Sequence, residues 1–415
     1  MIDAARIDRA IAALPRGFPG PGGAVAVLHE GRIVARHAWG FANAELGIPF
    51  TPATLFRVCS ITKQFVCATV LRHFPDPAVL DADVRQALPR LEGQAPTALQ
   101  LMHNQSGLRD YWAVAMLHGS PAEAPFGDAE AARVIGGTRT LHFAPGTRFS
   151  YVNQNFRILS DILQQRTGRT LAELLRTGVL DDAGMPTAQL APDTRAMPDG
   201  TEGYEGTQDG GFRPAVNRIF WTGDAGLAAS LDDMIAWERH IDAVRDDATA
   251  LATRIAAPVS FADGNPAFYG YGLSRGREFG RAIFGHGGGL RGWRSHRLYV
   301  PAERLSIVVL FNHLSDAHTA AMQLLAASLG EERPPPPAAL PAPSWLGAWR
   351  DPETGLALRI DQPTQGRVRL RFGHSTELLE LTAEGGAGQD RTRLRSTGDG
   401  LVMERPSENF SSQLA

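Results

Sequence analysis

The sequence predicts an α+β protein: an antiparallel sheet flanked by helices, with a helical region set between its strands, followed by a small antiparallel β-barrel. Three observations carry this expectation. Strand patterns occur near the N-terminus and again from Phe268 onward, with helical patterns between them, as when both ends of one domain close one sheet. A proline-rich run, EERPPPPAALPAP, then interrupts the chain at 331–343. Beyond it, short apolar–polar alternations recur between glycine-bearing turns. The expected division is a main domain over 1–330, a stiff linker over 331–343 and a small barrel over 344–415.

Each element has its own signal. MIDAARIDRAIAALPRGF reads as a short amphipathic helix; it lacks the unbroken apolar core and cleavage site of a signal peptide. GGAVAVLHEGRIVARHAWGFA alternates on both sides of Glu30-Gly31, a strand pair. In CSITKQFVCATVLRHF, Ser60 is expected to open a helix that Pro75 stops. RILSDILQQRTG (157–168) and LDDMIAWERHIDAV (231–244) carry the helical period. FYGYGLSRG, RAIFGHGG, SHRLYVP and SIVVLFN read as strands, and AHTAAMQLLAASLG as a closing helix. After the linker, ALRIDQP, RVRLRFG, LLELTAE, TRLRST and LVMERP read as short antiparallel strands.

Composition excludes several classes. The 415 residues are 43% hydrophobic and 20% charged, with a formal net charge of -3 and no polybasic run to neutralise a phosphate backbone. No run of eighteen apolar residues suggests a membrane span. A cytoplasmic protein without nucleic-acid or membrane partners is expected. The two cysteines, Cys59 and Cys67, would stand roughly 12 Å apart along one helix, beyond disulfide reach. They read as small packed side chains, with Cys59 a candidate reporter on its neighbour Ser60 if alkylated. The twelve histidines form no H-E-x-x-H, so no metal and no cofactor is expected. His103 and His142 read as polar core residues.

The chemistry-bearing stretch is Cys59-Ser60-Ile61-Thr62-Lys63. A serine hydroxyl is a weak nucleophile until a base takes its proton. At a helix start, Lys63 falls one turn after Ser60 on the same face, and the helix N-terminus favours a developing oxyanion. S-x-x-K also recurs by chance, as an N-cap serine with a solvated lysine. Two further pieces weigh against chance. Tyr151-Val152-Asn153 follows the turn PGTRFS. A tyrosine beside a lysine can serve as general base or acid, and an asparagine amide can accept from Lys63 while donating to a substrate carbonyl. In His286-Gly287-Gly288-Gly289, glycines on a strand let a substrate backbone approach, and the N–H of Gly289 with that of Ser60 forms a candidate oxyanion hole.

Three competing matches fail on context. Gly272-Leu273-Ser274-Arg275-Gly276 fits the G-x-S-x-G elbow and His286-Gly287-Gly288-Gly289 the lipase oxyanion motif. Their order is reversed, however, and no helix follows Ser274. Gly287 to Gly292 satisfies G-x-G-x-x-G but leads into a strand pattern, not a helix.

With S-x-x-K, Y-x-N and H-x-G in this order on helix, loop and strand, the chain resembles the penicillin-recognising serine hydrolases: class C β-lactamases, serine DD-peptidases, related esterases and D-aminopeptidases. LMHNQSGLRDYW (101–112), FAPGTRFSYVNQNFRILSDILQQRTGRT (143–170), GDAGLAASLDDMIAWE (223–238) and GHGGGLRGWRS (285–295) are similar to D-aminopeptidase segments. The resemblance implies a β-lactamase/transpeptidase-like fold, with Ser60 as nucleophile, Lys63 as its proton partner and Tyr151 as general acid/base. Asn153 would orient Lys63 and substrate. His286, with Gly287 and Gly288, would line the substrate site in place of the usual third-motif lysine, a role that only the resemblance gives it. It implies a D-stereospecific aminopeptidase on short peptides, amides or esters, with a β-lactam ligand and a homodimer as further expectations. An esterase, β-lactamase or DD-peptidase is the alternative enzyme. A penicillin-binding-fold sensor or assembly protein is the non-enzymatic one, and three intact motifs weigh against it. The D-aminopeptidases resembled carry a second small β-domain whose loop helps to recognise the substrate amine. The sequence ends at Ala415, after the first such domain. The expectation is therefore a chain without that loop, discriminating poorly between free and acylated amines.

Overall fold

A computed structural model of the chain describes residues 2–117, 120, 124–332, 342–364, 366–373, 375–382, 385–388, 392–397, 400–408 and 410–415. The proline-rich linker expected at 331–343 lies, apart from its ends, outside the described residues.

One antiparallel eight-stranded sheet organises the first 330 residues. In spatial order its strands are Tyr269–Gly270, Leu273–Glu278, Arg281–Leu290, Trp293–Val300, Leu305–Phe311, Gly22–His29, Arg32–Asn43 and Ile48–Pro49. The N-terminal hairpin therefore pairs with the last long strand, Gly23 opposite Phe311 through His29 opposite Leu305. Strand Gly22–His29 is buried on both faces, and its alternation divides the core. Val25 and Val27 join Ile7, Ile11 and Leu14 of helix Ala4–Gly17 and the apolar side of helix Ala317–Leu329. Ala24, Ala26 and Leu28 face the helical region, where small side chains let helix Leu231–Val244 lie against the strand. A bidentate pair, Arg297 with Glu238 at 2.5 and 2.6 Å, joins that helix to strand Trp293–Val300, and neither side chain is exposed. Desolvation offsets much of its Coulomb attraction, so its main effect is to locate the helix on the sheet.

The helices expected at 157–168 and 231–244 are Gln154–Thr167 and Leu231–Val244. The middle region also holds elements its sequence did not advertise. These are a hairpin, Tyr204–Thr207 with Gly211–Pro214, and a small sheet of Phe56–Arg57, Leu227–Ala229 and Gln189–Leu190. One expectation is corrected: the α-helix begins at Thr62, and Ser60 lies in the 3₁₀ turn Cys59–Ile61 leading into it. Cys59 has a φ of 54°. That left-handed conformation breaks the α geometry just before the serine.

Eight short strands form the C-terminal domain in consecutive antiparallel order: Gly347–Arg350, Ala357–Thr364, Arg367–Phe372, Ser375–Thr382, Gly385–Ala387, Arg393–Ser396, Leu401–Arg405 and Phe410–Leu414. Reciprocal bonds of 3.2 and 3.0 Å between Arg350 and Ala415 bring the last strand to the first, so the sheet closes on itself. Its core includes Leu358, Ile360, Val368, Leu370, Leu379 and Met403, and Leu117 of the main domain packs against it. Among the described residues no helix is long and apolar enough to cross a membrane.

Candidate active site

Ser60 is presented by a strained turn. A non-glycine residue at positive φ costs of order 1–3 kcal/mol and persists only where its surroundings impose it; Cys59 is held by burial and by its thiol, which donates to the Arg57 carbonyl at 3.0 Å. Burial pushes the Cys59 thiol up to about 12. It is a sealed, protonated packing residue, which overturns the expectation that alkylation there could report on the site.

Lys63 follows one turn later, its side chain fully buried. Its Nζ lies 3.0 Å from Ser60 Oγ, 2.9 Å from Asn153 Oδ1 and 2.6 Å from the carbonyl of Asp224. Burial draws the ammonium down to about 8, against the opposing pull of Asp224 and Asp110. The partner set has a chemical consequence. Two partners are amide oxygens that can only accept, whereas a hydroxyl can do either. When Lys63 loses a proton, its two remaining N–H groups stay on Asn153 and Asp224, and the lone pair is left facing Ser60.

Tyr151 stands against the same ammonium, its ring centroid 4.9 Å from Nζ and 6.0 Å from the rings of both His286 and Tyr269. The backbone on both sides of Tyr151 is clamped by Asn104. Ser150 N–H donates to its carbonyl at 2.9 Å and Val152 N–H to its Oδ1 at 3.2 Å. Asn104 is itself buried at a φ of 54°, a conformation asparagine tolerates better than most residues. Asn153 is located by Asp110, whose Oδ1 accepts its N–H at 2.6 Å and whose Oδ2 accepts from Ala113 N–H at 2.7 Å.

His286 sits on strand Arg281–Leu290, where Nδ1 donates to the Gly287 carbonyl and Nε2 accepts from Tyr269 Oη at 3.0 Å. Burial, reinforced by Lys63, pushes it down to about 3, so the imidazole is neutral at physiological pH. The residue in the place of a third-motif lysine thus carries no charge. Pairing with strand Leu273–Glu278 ends at Ser274–Gly285. From His286 to Leu290 the strand is bonded to Trp293–Val300 alone among the described strands, and it borders the Ser60 turn. A Cβ on Gly288 would come within 2.4 Å of the Val58 carbonyl and 2.9 Å of Cys59 Cβ, so only glycine lets this strand close on the nucleophile turn. That closeness brings the segments bearing the N–H groups of Ser60 and Gly289 together.

The rejected motifs have structural explanations. Ser274 lies inside strand Leu273–Glu278, opposite Tyr269, and the chain continues from it into strand Arg281–Leu290 rather than a helix. Gly272, at a φ of 72°, is glycine because a Cβ there would meet the backbone of Lys63 and Gln64 at 2.6 Å. Gly287 to Gly292 runs down one strand and into a hairpin. His103 is buried and held neutral by burial, down to about 3. Among the described residues no group of three or more His, Cys, Asp or Glu could hold a metal ion.

The structure thus gathers Ser60, Lys63, Tyr151, Asn153 and His286. Sequence reasoning missed Asp110, Tyr111, Asn104 and Asp224. Asp224 could have been noticed as an acid embedded in the small-residue run GDAGLAAS, and Asn104, Asp110 and Tyr111 lie in the segment LMHNQSGLRDYW that the resemblance had already singled out.

Comparisons with known proteins bear on the family and the fold. Residues 7–330 match the beta-lactamase family, and residues 338–415 match the family described as D-aminopeptidase, domain B. A D-aminopeptidase of Gluconobacter oxydans is 58% identical over 415 residues, covering 99% of this chain and 79% of that protein. One of Brucella canis is 45% identical over 409 residues, with the same 99% and 79% coverage. Among solved structures, an octameric penicillin-binding protein homologue from Pyrococcus abyssi is similar in fold, with a TM-score of 0.67 at 19% identity over 100% of both chains. With a match spanning its main domain and the D-aminopeptidase domain B behind it, the chain belongs to the β-lactamase family of serine hydrolases.

Proposed function

We propose that this protein is a serine D-aminopeptidase, releasing N-terminal D-amino acids from short peptides, amides or esters through an acyl-enzyme on Ser60. The observation that carries the mechanism is Lys63 Nζ, buried and bound at once to Ser60 Oγ, Asn153 and Asp224. With Lys63 at about 8, about one molecule in ten holds the amine at pH 7. In that form Lys63 takes the hydroxyl proton as Ser60 Oγ attacks the substrate carbonyl, and the N–H groups of Ser60 and Gly289 receive the developing oxyanion. Tyr151, over the Lys63 ammonium, passes a proton to the leaving amine. Water then enters by the reverse route, releasing the D-amino acid and restoring Ser60. The open edge of His286–Leu290 takes the substrate backbone. The neutral His286 suits a substrate with a free ammonium, because a lysine in that place would repel it.

Relatives matching nearly the whole chain are named D-aminopeptidases, which favours this reading over the esterase, β-lactamase, DD-peptidase and sensor alternatives. We also read the protein as cytoplasmic; helix Ala4–Gly17 buries Ile7, Ile11 and Leu14 in the core and so belongs to the folded domain. Incubation with a neutral fluorophosphonate, followed by intact-mass and peptide mapping, tests the mechanism. One adduct on Ser60, absent from Ser60→Ala, is expected, and labelling elsewhere would sink it.

A further inference from the structure

The acids behind Lys63 are unusual for so buried a place. Asp224 is fully buried in the run GDAGLAAS, and it meets Lys63 only through its backbone carbonyl. Its carboxylate turns the other way, where Oδ1 accepts Thr222 N–H at 2.9 Å and Oδ2 accepts the hydroxyl of Tyr111. Tyr111 is also buried, and its ring is packed edge-on against Phe126 and Trp221 at 4.9 and 6.2 Å, so the hydroxyl has little freedom to leave. A buried carboxylate without a cation in contact is costly. The nearest guanidinium, Arg157, is bonded instead to Asp128 and the Phe220 carbonyl. Lys63 is the cation that offsets Asp224 most, with a smaller share from Arg157, and burial still raises the Asp224 carboxyl above its ordinary value.

We propose that Asp224 and Tyr111 are positioning residues for Lys63: the carboxylate, anchored by the tyrosine hydroxyl, fixes the carbonyl that holds one Lys63 proton and supplies the negative charge that governs when Lys63 becomes a base. This rests on the Ser60–Lys63 reading above and deepens it. Other groups also face Lys63. They are Tyr151 across the cleft, His286 on the strand, Cys59 and Cys67 on its own segment, Asp110 behind Asn153, and Arg157 behind Asp224. His286 is neutral, the Cys59 thiol is protonated, and burial holds the Cys67 thiol protonated as well. Asp110 remains in place in both variants below.

The signs follow from Coulomb's law. Asp224→Asn keeps the side-chain shape but removes the charge, so the ammonium is less favoured and the amine appears at lower pH. Tyr111→Phe removes a donor that holds Asp224 ionised against its burial, so the carboxylate takes up a proton more readily, the ammonium is less favoured and the amine again appears at lower pH. A purely structural role would lower melting temperature and slow the reaction equally at every pH.

The test is the rate of Ser60 phosphonylation by a neutral fluorophosphonate against pH, with a thermal melt of each variant to establish folding. The acid limb should move down by about one pH unit in Asp224→Asn and in the same direction, by less, in Tyr111→Phe. If Asp224→Asn fails to fold, Tyr111→Phe decides alone. A limb unmoved in a folded variant overturns the proposal. Failure of the underlying reading looks different: the wild type would be unlabelled, or labelled away from Ser60.

Discussion

Ser60 and Lys63 show how far single residues can be read from a chain. Three residues apart at the start of a helical segment, they had to share a face, and that proximity is legible from spacing alone. Asn153 was readable as an acceptor for Lys63 from Tyr151-Val152-Asn153, whereas the Asp224 carbonyl, and Asp110 acting through Asn153, were not. No local pattern announces contacts that only folding creates. His286 was legible as a position but not as a charge state, because its neutrality follows from burial beside Lys63. Two outcomes are expected at this scale. Lys63→Ala and Tyr151→Phe should each lower kcat by more than about a hundredfold, since each removes a proton-transfer partner; steady-state hydrolysis of D-alanine p-nitroanilide reads both. Acylation of the wild type by an uncharged reagent should rise with pH through a single limb near 8, where Lys63 passes from ammonium to amine. It should show no inflection near the ordinary histidine range, because His286 has already lost its proton there. An inflection at that lower pH that disappears in His286→Gln would show that His286 titrates.

Among the elements, the strand Arg281–Leu290 carries most of the site's geometry. Its existence was readable from RAIFGHGG, and the reason for its glycines was not. Gly288 is set by a backbone carbonyl from residue 58, far away in sequence. Gly288→Ala should therefore push the strand off the nucleophile turn, destabilising the fold by about 1–3 kcal/mol and nearly abolishing acylation. Gly287→Ala would meet the ring of His296 at 3.3 Å and the Ser295 carbonyl at 3.7 Å, with no atom nearer, and serves as the mild comparison. Equal effects of the two substitutions, by thermal melt and labelling rate, would contradict this account of the strand. Long, periodic helices such as Leu231–Val244 were readable from sequence. The short barrel strands Gly347–Arg350, Gly385–Ala387 and Phe410–Leu414 were not. With three to five residues each, and glycine or serine in several positions, they carry too little alternation to stand out. Pairing with their neighbours makes them strands.

At the scale of the molecule, the fold class and the presence of a C-terminal barrel were legible from the return of strand patterns and from the proline-rich run. Its docking was not. Leu117 packs on the barrel core, and the Tyr151 N–H donates to the carbonyl of Ser407, in the barrel's Pro406–Glu408 turn. The barrel thus touches the backbone of a proposed catalytic residue. Leu117→Asp, which sets a charge against that apolar core, should loosen the docking and lower the melting temperature by a few degrees. It should lower kcat more than it raises KM, because the barrel turn holds the backbone of the proton-transferring Tyr151. A rise in KM with kcat unchanged would place the effect elsewhere. The central claim, D-residue release through Ser60, is tested most directly by kcat/KM for D- and L-alanine p-nitroanilide, measured side by side on the wild type and on Ser60→Ala. The account predicts turnover of the D-substrate, a strong preference for it over the L-substrate, and loss of both activities in Ser60→Ala; preference for the L-substrate, or activity surviving without the hydroxyl, would contradict it.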